Sequence, residues 1–218
     1  MLFRSREYLE KVLAIMSETG NRAGEALSYG VLETLFKSLG QYNKARECLE
    51  RALAIMIEIG DRAGEALCYV NLGKFFQSLG QYVKAEECLE KALAIKIEID
   101  DRDGQASCYV NIGSLFKLLG QYNKAREYLE KAFAINIEIG NRDGKASCYL
   151  ELGTLLSSPG QYDKAREYLE KALAIKIEIG NRNGEAACYG SLGALFKSLG
   201  QYDKAREYRS EEHTSELQ

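Results

Sequence analysis

The chain has 218 residues, with 29 Lys+Arg against 32 Asp+Glu and a net charge near −3. An apolar fraction of 46% and a charged fraction of 28% are those of a folded protein, and they exclude a disordered tail or a strongly basic nucleic-acid binder. No run approaches the ~18 apolar residues of a membrane helix, so no membrane insertion is expected. Met1 to Glu7 lack the apolar core of a signal peptide. The single histidine, His213, removes most metal sites and most general-base mechanisms, so neither a metal nor a cofactor is expected.

The motif Gly-Gln-Tyr-x-Lys-Ala begins at Gly40, Gly80, Gly120, Gly160 and Gly200, a period of 40 residues without an insertion. Residues 41–80 and 161–200 share 28 of 40 positions. In chain order, residues 1–20 read as a lone second helix, because Met1 aligns with Gln41. Full two-helix units follow at 21–60, 61–100, 101–140 and 141–180, then a truncated unit at 181–208 and a tail at 209–218.

Each unit reads as a helical hairpin. In 61–100, Leu72, Phe75, Phe76 and Leu79 fall at helical spacing from Cys68. Gly80 supplies a left-handed C-terminal cap. The second helix runs from about Val83 to Glu98, with Ala85, Cys88, Leu89, Ala92, Leu93, Ile95 and Ile97 on a broad apolar face. Asn43, Asn123, Asp163 and Asp203 are read as its N-caps. Val83, which cannot cap, predicts fraying there. Gly60, Gly140 and Gly180 end the second helices, and Asp100 breaks that pattern. The connector Gly60-Asp61-Arg62-Ala63-Gly64 reads as a tight turn whose Asp caps the next helix. It is not a phosphate loop, since no Gly-Lys-Ser/Thr follows and no strand precedes it. Pro159, where Leu39, Leu79, Leu119 and Leu199 stand elsewhere, predicts an early end to the first helix of 141–180.

The six cysteines recur with the repeat. Cys68, Cys108, Cys148 and Cys188 share one position with Ser28; Cys48 and Cys88 share another with Tyr8, Tyr128 and Tyr168. Exchange with Ser and Tyr marks packing positions, and the thiols are expected reduced, in a cytoplasmic setting. Charged runs read as solvated faces with pairs such as Glu167 and Lys171 at i,i+4. No repeat holds a base beside a cysteine, so the chain is read as not an enzyme. The tyrosines read as packing and not as base-stacking platforms. A hairpin cannot bury its apolar face alone, whereas stacked neighbours can. The fold class is therefore all-α, a right-handed superhelical solenoid of antiparallel helix hairpins.

Tyr69, Leu72-Gly73, Phe76, Gly80-Gln81-Tyr82, Ala85, Leu89 and Ala92 resemble the signature of the tetratricopeptide repeat (TPR) family. So do Tyr189, Leu192-Gly193, Phe196, Gly200-Gln201-Tyr202 and Ala205. The likeness covers about residues 1–208. A side chain at Gly73 would block the approach of the partner helix. The family period is ~34 residues, with a proline closing the second helix; here Ile97 stands at that point and the helix is longer. This long form looks most like the Pins/LGN cell-polarity adaptors, and is similar to arrays fused to nucleotide-binding or caspase-like CHAT domains. Kinesin light chains are a more distant likeness.

The resemblance puts a partner-binding groove on the concave face of the first helices. It maps onto Val70, Asn71, Lys74 and Gln77; Val110, Asn111, Ser114 and Lys117; and Leu150, Glu151 and Thr154. Asn71 and Asn111 suit a peptide backbone, since an amide both donates and accepts. Adaptor-type repeats carry a second asparagine where Lys74, Ser114, Thr154 or Ala194 stands here. They also place arginines where Ala66-Leu67 and Ala106-Ser107 stand. Val70 and Val110 do not supply a chaperone-type carboxylate clamp.

Residues 209–218, Arg-Ser-Glu-Glu-His-Thr-Ser-Glu-Leu-Gln, resemble the translation of a common sequencing adapter and are expected to be an artefact, leaving His213 without functional weight. The chain is expected to be an internal fragment of a longer array, with end-to-end self-association through uncapped terminal helices. The leading expectation is a non-catalytic scaffold that binds a protein or peptide partner in the groove. The alternative is the sensor or autoinhibitory array of a larger signalling protein.

Overall fold

The computed structural model describes residues 2–157 and 160–217, with side chains for residues 7–157 and 160–212. The described residues form α-helices without a strand: α1 (Leu2–Glu18), α2 (Arg22–Ser38), α3 (Tyr42–Glu58), α4 (Arg62–Ser78), α5 (Tyr82–Glu98), α6 (Arg102–Leu118), α7 (Tyr122–Glu138), α8 (Arg142–Ser157), α9 (Tyr162–Glu178), α10 (Arg182–Ser198) and α11 (Tyr202–Leu217). They fall into two units, Met1–Asp101 with α1–α5 and Arg102–Gln218 with α6–α11. In the first, α2 pairs with α3 and α4 with α5, and α1 and α3 pack on the helices that follow them. In the second, α6 pairs with α7, α8 with α9 and α10 with α11; the first helices α6, α8 and α10 also touch in sequence. Each unit is thus the array of antiparallel hairpins that the repeat implies.

The turns follow from glycine. Gly40, Gly80, Gly120, Gly160 and Gly200, and likewise Gly60, Gly140 and Gly180, sit at φ between +69° and +79°. This left-handed conformation costs an L-residue about 1–2 kcal/mol. Asp100 adopts it too, at φ +54°. After each glycine the next N–H reaches back, as from Gln81 N to Phe76 O at 2.9 Å, which satisfies a terminal carbonyl. The second helices therefore restart one residue sooner than expected. Their N-caps are Gln41, Gln81, Gln121 and Gln161, without a side-chain capping bond. Asn43, Asn123, Asp163 and Asp203 lie inside the first turn and are not caps. Val83 is 72% exposed in the first turn of a helix that matches α3 and α7 in length, so the missing cap does not single it out. The connector caps are as expected: Asn21, Asp61, Asn141 and Asn181 accept from Gly24, Gly64, Gly144 and Gly184 N–H. Pro159 lies outside the described residues.

Within a hairpin the two helices meet at a missing side chain. A Cβ on Gly73 would stand 2.8 Å from Leu89 Cγ and 3.3 Å from Ala85 O. On Gly153 it would stand 2.7 Å from Leu169 Cγ and 3.1 Å from Ala165 O. Ala85, Leu89, Ala92, Ala165, Leu169 and Ala172 are fully buried as a result. Arginine then ties the start of α2, α4, α6 and α8 to the end of the second helix of each, in Arg22–Glu58, Arg62–Glu98, Arg102–Glu138 and Arg142–Glu178. These pairs are largely exposed and fix geometry more than stability. Glu167 and Lys171 pair at 2.6 Å, as the spacing implied.

The pattern breaks at both ends. Tyr8, Val12 and Ile15 of α1 are 67%, 41% and 53% exposed, whereas Cys48, Ala52 and Ile55, one repeat on, are 7%, 4% and 4% exposed. In α11, Arg209 and Glu212 take the places where α9 buries Leu169 and Ala172. Gly193 consequently has room: an added Cβ meets nothing closer than Ala205 O at 3.4 Å.

The same substitution should therefore have opposite signs in two repeats. Gly153→Ala overpacks the helix contact, a change worth about 1–3 kcal/mol against the fold. Gly193→Ala keeps only the helix-propensity gain of up to about 1 kcal/mol. Urea unfolding of the two variants checks this; equal midpoint shifts would contradict it.

Candidate functional site

The exposed positions of the first helices form one stripe. In α2 they are Leu27, Val31, Thr34 and Ser38; in α4 they are Leu67, Asn71, Lys74 and Ser78. The i, i+4, i+7, i+11 spacing puts each set on one side of its helix. In the first unit, Asn71 and Lys74 are exposed, and Val70 and Gln77 are half-buried beside them.

In the second unit the equivalent face is more closed. Val110, Asn111, Ser114 and Lys117 on α6 are half-buried, as are Leu150, Glu151 and Thr154 on α8. Leu150 packs against the buried cluster of Leu156, Ala165, Leu169, Leu192, Leu195 and Phe196, so it serves the core as much as the surface. Lys117 is bonded across to the next first helix. Its Nζ donates to Glu151 Oε2 at 2.6 Å and to Thr154 Oγ1 at 3.0 Å. This bond joins neighbouring first helices and brings together three of the residues singled out by sequence. Asn71 and Asn111 belong to different units.

Two features escaped the sequence reading. Leu27 and Leu67, 66% and 55% exposed, extend the stripe one turn towards the helix N-termini; their i−4 spacing from Val31 and Asn71 was the available signal. The second is a polar network in the second unit. Where α1 and α3 carry Met16 and Met56, α7 and α9 carry Asn136 and Lys176, each 3% exposed. Lys176 Nζ donates to Asp143 Oδ1 at 2.8 Å, Ser147 Oγ at 3.0 Å and Asp143 O at 3.3 Å. Asn181 Nδ2 donates to the same Asp143 oxygen at 2.6 Å, and Asn141 does likewise to Asp103 at 2.7 Å. Each of these asparagines caps one helix while holding the repeat before it. The Lys176 bond, then that from Asn181, outweighs burial and holds the Asp143 carboxyl below its ordinary range. No sequence signal marked this network, because a lysine in place of a methionine on an amphipathic helix reads as surface.

The cysteines are packing groups. Cys68 lies in a buried cluster with Ala26, Ala52, Ile55 and Met56. Burial pushes the Cys48, Cys68, Cys148 and Cys188 thiols up to about 11, so they are protonated and weakly nucleophilic at neutral pH. The tyrosine alternative at the Cys48 position packs by ring stacking: Tyr128 lies on Phe116 with centroids 5.5 Å apart.

The tetratricopeptide repeat model matches residues 2–58, 64–138, 119–178 and 145–209. The chain belongs to the tetratricopeptide repeat family. Among solved structures, BtubC (BKLC) from P. vanneervenii is 22% identical, with a TM-score of 0.83 over 100% of this chain and 91% of that one. Aspartyl phosphate phosphatase F from Bacillus subtilis is 20% identical, with a TM-score of 0.74 over 94% of this chain and 54% of the other. A Rap protein complexed with Competence and Sporulation Factor is 19% identical, with a TM-score of 0.75 over 89% and 54%. No curated protein matches the sequence. At these identities the solved structures establish the fold, a TPR array, which is one typically used for protein–protein interaction. No described helix is long and apolar enough to cross a membrane.

The pair of buried Lys176 with half-exposed Asp143 predicts an asymmetry. Asp143→Ala leaves the Lys176 ammonium without its counter-charge, with only Ser147 Oγ and the backbone O of residue 143 to accept from it, and should destabilise the fold by about 1–3 kcal/mol. Lys176→Met, which restores the residue of α3, should be neutral or stabilising. Because the folded Asp143 pKa is depressed, its contribution is present above its unfolded value of about 3.9 and fades as pH falls through the folded value. Chemical unfolding at pH 7 and pH 3 checks both; a Lys176→Met variant as damaged as Asp143→Ala would contradict the account.

Proposed function

We propose that this TPR array is a non-catalytic interaction scaffold that receives a partner peptide or helix on the face of its first helices. The observation that carries the reading is the exposed stripe repeated from helix to helix. In the second unit, adjacent stripes are bonded side by side through Lys117, Glu151 and Thr154. A surface fixed by stacking loses little entropy when a partner docks. On this reading Val70, Val110 and Leu150 offer apolar contact. Asn71, Gln77, Asn111, Ser114 and Thr154 offer hydrogen bonds, and Lys74, Lys117 and Glu151 offer charge. The protonated, buried thiols fit a cytoplasmic setting. The Pins/LGN-like and CHAT-associated likenesses stay with the first, polarity-adaptor, and second, sensor, forms of this reading.

Random peptides selected on the full chain provide the test. The reading expects binders that compete with one another, and an Asn71→Ala plus Asn111→Ala variant that binds them about tenfold more weakly. Unchanged affinity in that variant would contradict the part given to these amides, each on its own unit, and a selection that yields no competing binder would contradict the scaffold.

The exposed Tyr8, Val12 and Ile15 of α1 favour a compatible second reading, self-association through that helix. Mass by light scattering should rise with concentration, and Val12→Glu should abolish the rise. A concentration-independent monomer would contradict it.

A further inference from the structure

The two units present different chemistry on equivalent positions of their first helices. In the second unit the stripe is small and polar at its N-terminal end, with Ser107, Ser147 and Ala187; of its two lysines, Lys117 is already bonded to Glu151 and Lys197 is exposed on α10 without an apolar end beside it. In the first unit the same positions are large and apolar, Leu27 and Leu67 being 66% and 55% exposed, and Val31, one turn on from Leu27, is 52% exposed. Two to three turns further along, Lys37 and Lys74 are exposed. Lys37 is the counterpart of Lys117, but Asn71 and Lys74 stand where Glu151 and Thr154 hold that lysine. No carboxylate therefore comes from α4 to neutralise it. Glu33, four residues before Lys37, takes the position that Gly73 holds in the next repeat; its carboxylate accepts from Thr34 Oγ1 at 3.2 Å and its field is felt by Cys48 of α3, and no ion pair joins it to Lys37 among the described residues.

The first unit thus has an apolar end and a cationic end on one face. We infer that this face, and not that of the second unit, docks the partner, and that the partner is a peptide segment with large apolar side chains followed along its length by carboxylates. The inference rests on the scaffold reading above and names the partner chemistry for it. Leu27, Val31 and Leu67 cover the apolar side chains, and Lys37 and Lys74 meet the carboxylates. In the second unit, Glu151 acts as a selectivity device: its carboxylate occupies Lys117 and repels an acidic segment.

The probe is a fluorescein-labelled peptide with a run of leucines followed by a run of glutamates, measured by anisotropy on the full chain. Its control carries lysines in place of glutamates. The expected result is that the acidic peptide binds and the basic one does not, with affinity falling as salt is raised. Lys37→Glu plus Lys74→Glu should weaken binding about tenfold or more and flatten its salt dependence. Leu27→Ser plus Leu67→Ser should weaken it similarly while leaving the salt dependence in place. All four side chains are exposed, and circular dichroism confirms that the variants fold. Wild-type affinity in both first-unit variants, with loss in Lys117→Glu, would overturn the placement while leaving the scaffold reading intact. Failure of the acidic peptide to bind, when selected peptides of other chemistry do, would overturn the partner chemistry alone.

Discussion

The close approach of the first helix to the second at Gly73, Gly113 and Gly153 is the contact on which the three hairpins α4–α5, α6–α7 and α8–α9 depend. A leucine branch of the second helix fills the space a side chain would take, with Leu129 Cγ 3.0 Å from the Cβ position of Gly113. That contact sets the helix separation, and the separation decides what else is buried. Alanines at 85, 92, 125, 132, 165 and 172 are fully buried because nothing larger fits between helices held so near. The glycine turns then fix the reversal, and the arginine ties fix its edges. Apolar packing supplies the stability, and the ion pairs choose among arrangements that packing alone would allow.

Once the hairpin is fixed, the repeat determines which residues face outward, and small sequence changes at outward positions alter the chemistry without disturbing the fold. Ser107 for Leu67 and Glu151 for Asn71 leave the helices unchanged and turn an apolar and basic face into a polar, internally paired one. Inward changes are constrained differently. Lys176 enters a methionine position only because Asp143 and Ser147 meet its ammonium. In the first unit Lys96 takes the same position beside Asp101, and it is the Asn181 bond to Asp143 that ties one repeat to the next.

Most of the architecture was legible in the sequence, because a period of 40 without insertion aligns every turn glycine and every core alanine. The helix starts were misread by one residue. Asn43 and Asp163 look like caps, but the glycine turn ends the first helix through the glutamine N–H and the second helix already starts at the following tyrosine, so both lie inside its first turn. The candidate face was legible as positions but not as chemistry. The spacing of Glu151 marks it as outward, yet its bond to Lys117 depends on how neighbouring first helices lie, which no local pattern encodes. Leu27 and Leu67 were passed over because exposed leucines on an amphipathic helix look like part of its core face.

The central claim is that each hairpin is a local unit, locked at a small-residue contact in α4–α5, α6–α7 and α8–α9, with stability summed over neighbours and not held in one core. Native-state hydrogen exchange resolved by residue tests it most directly. The account predicts that amides of α6–α9, where Leu129 and Leu169 close the contact, exchange with higher protection than those of α10 and α11, where Arg209 leaves it open. Protection should step down from repeat to repeat. A single common free energy of exchange across all helices of the second unit would contradict it.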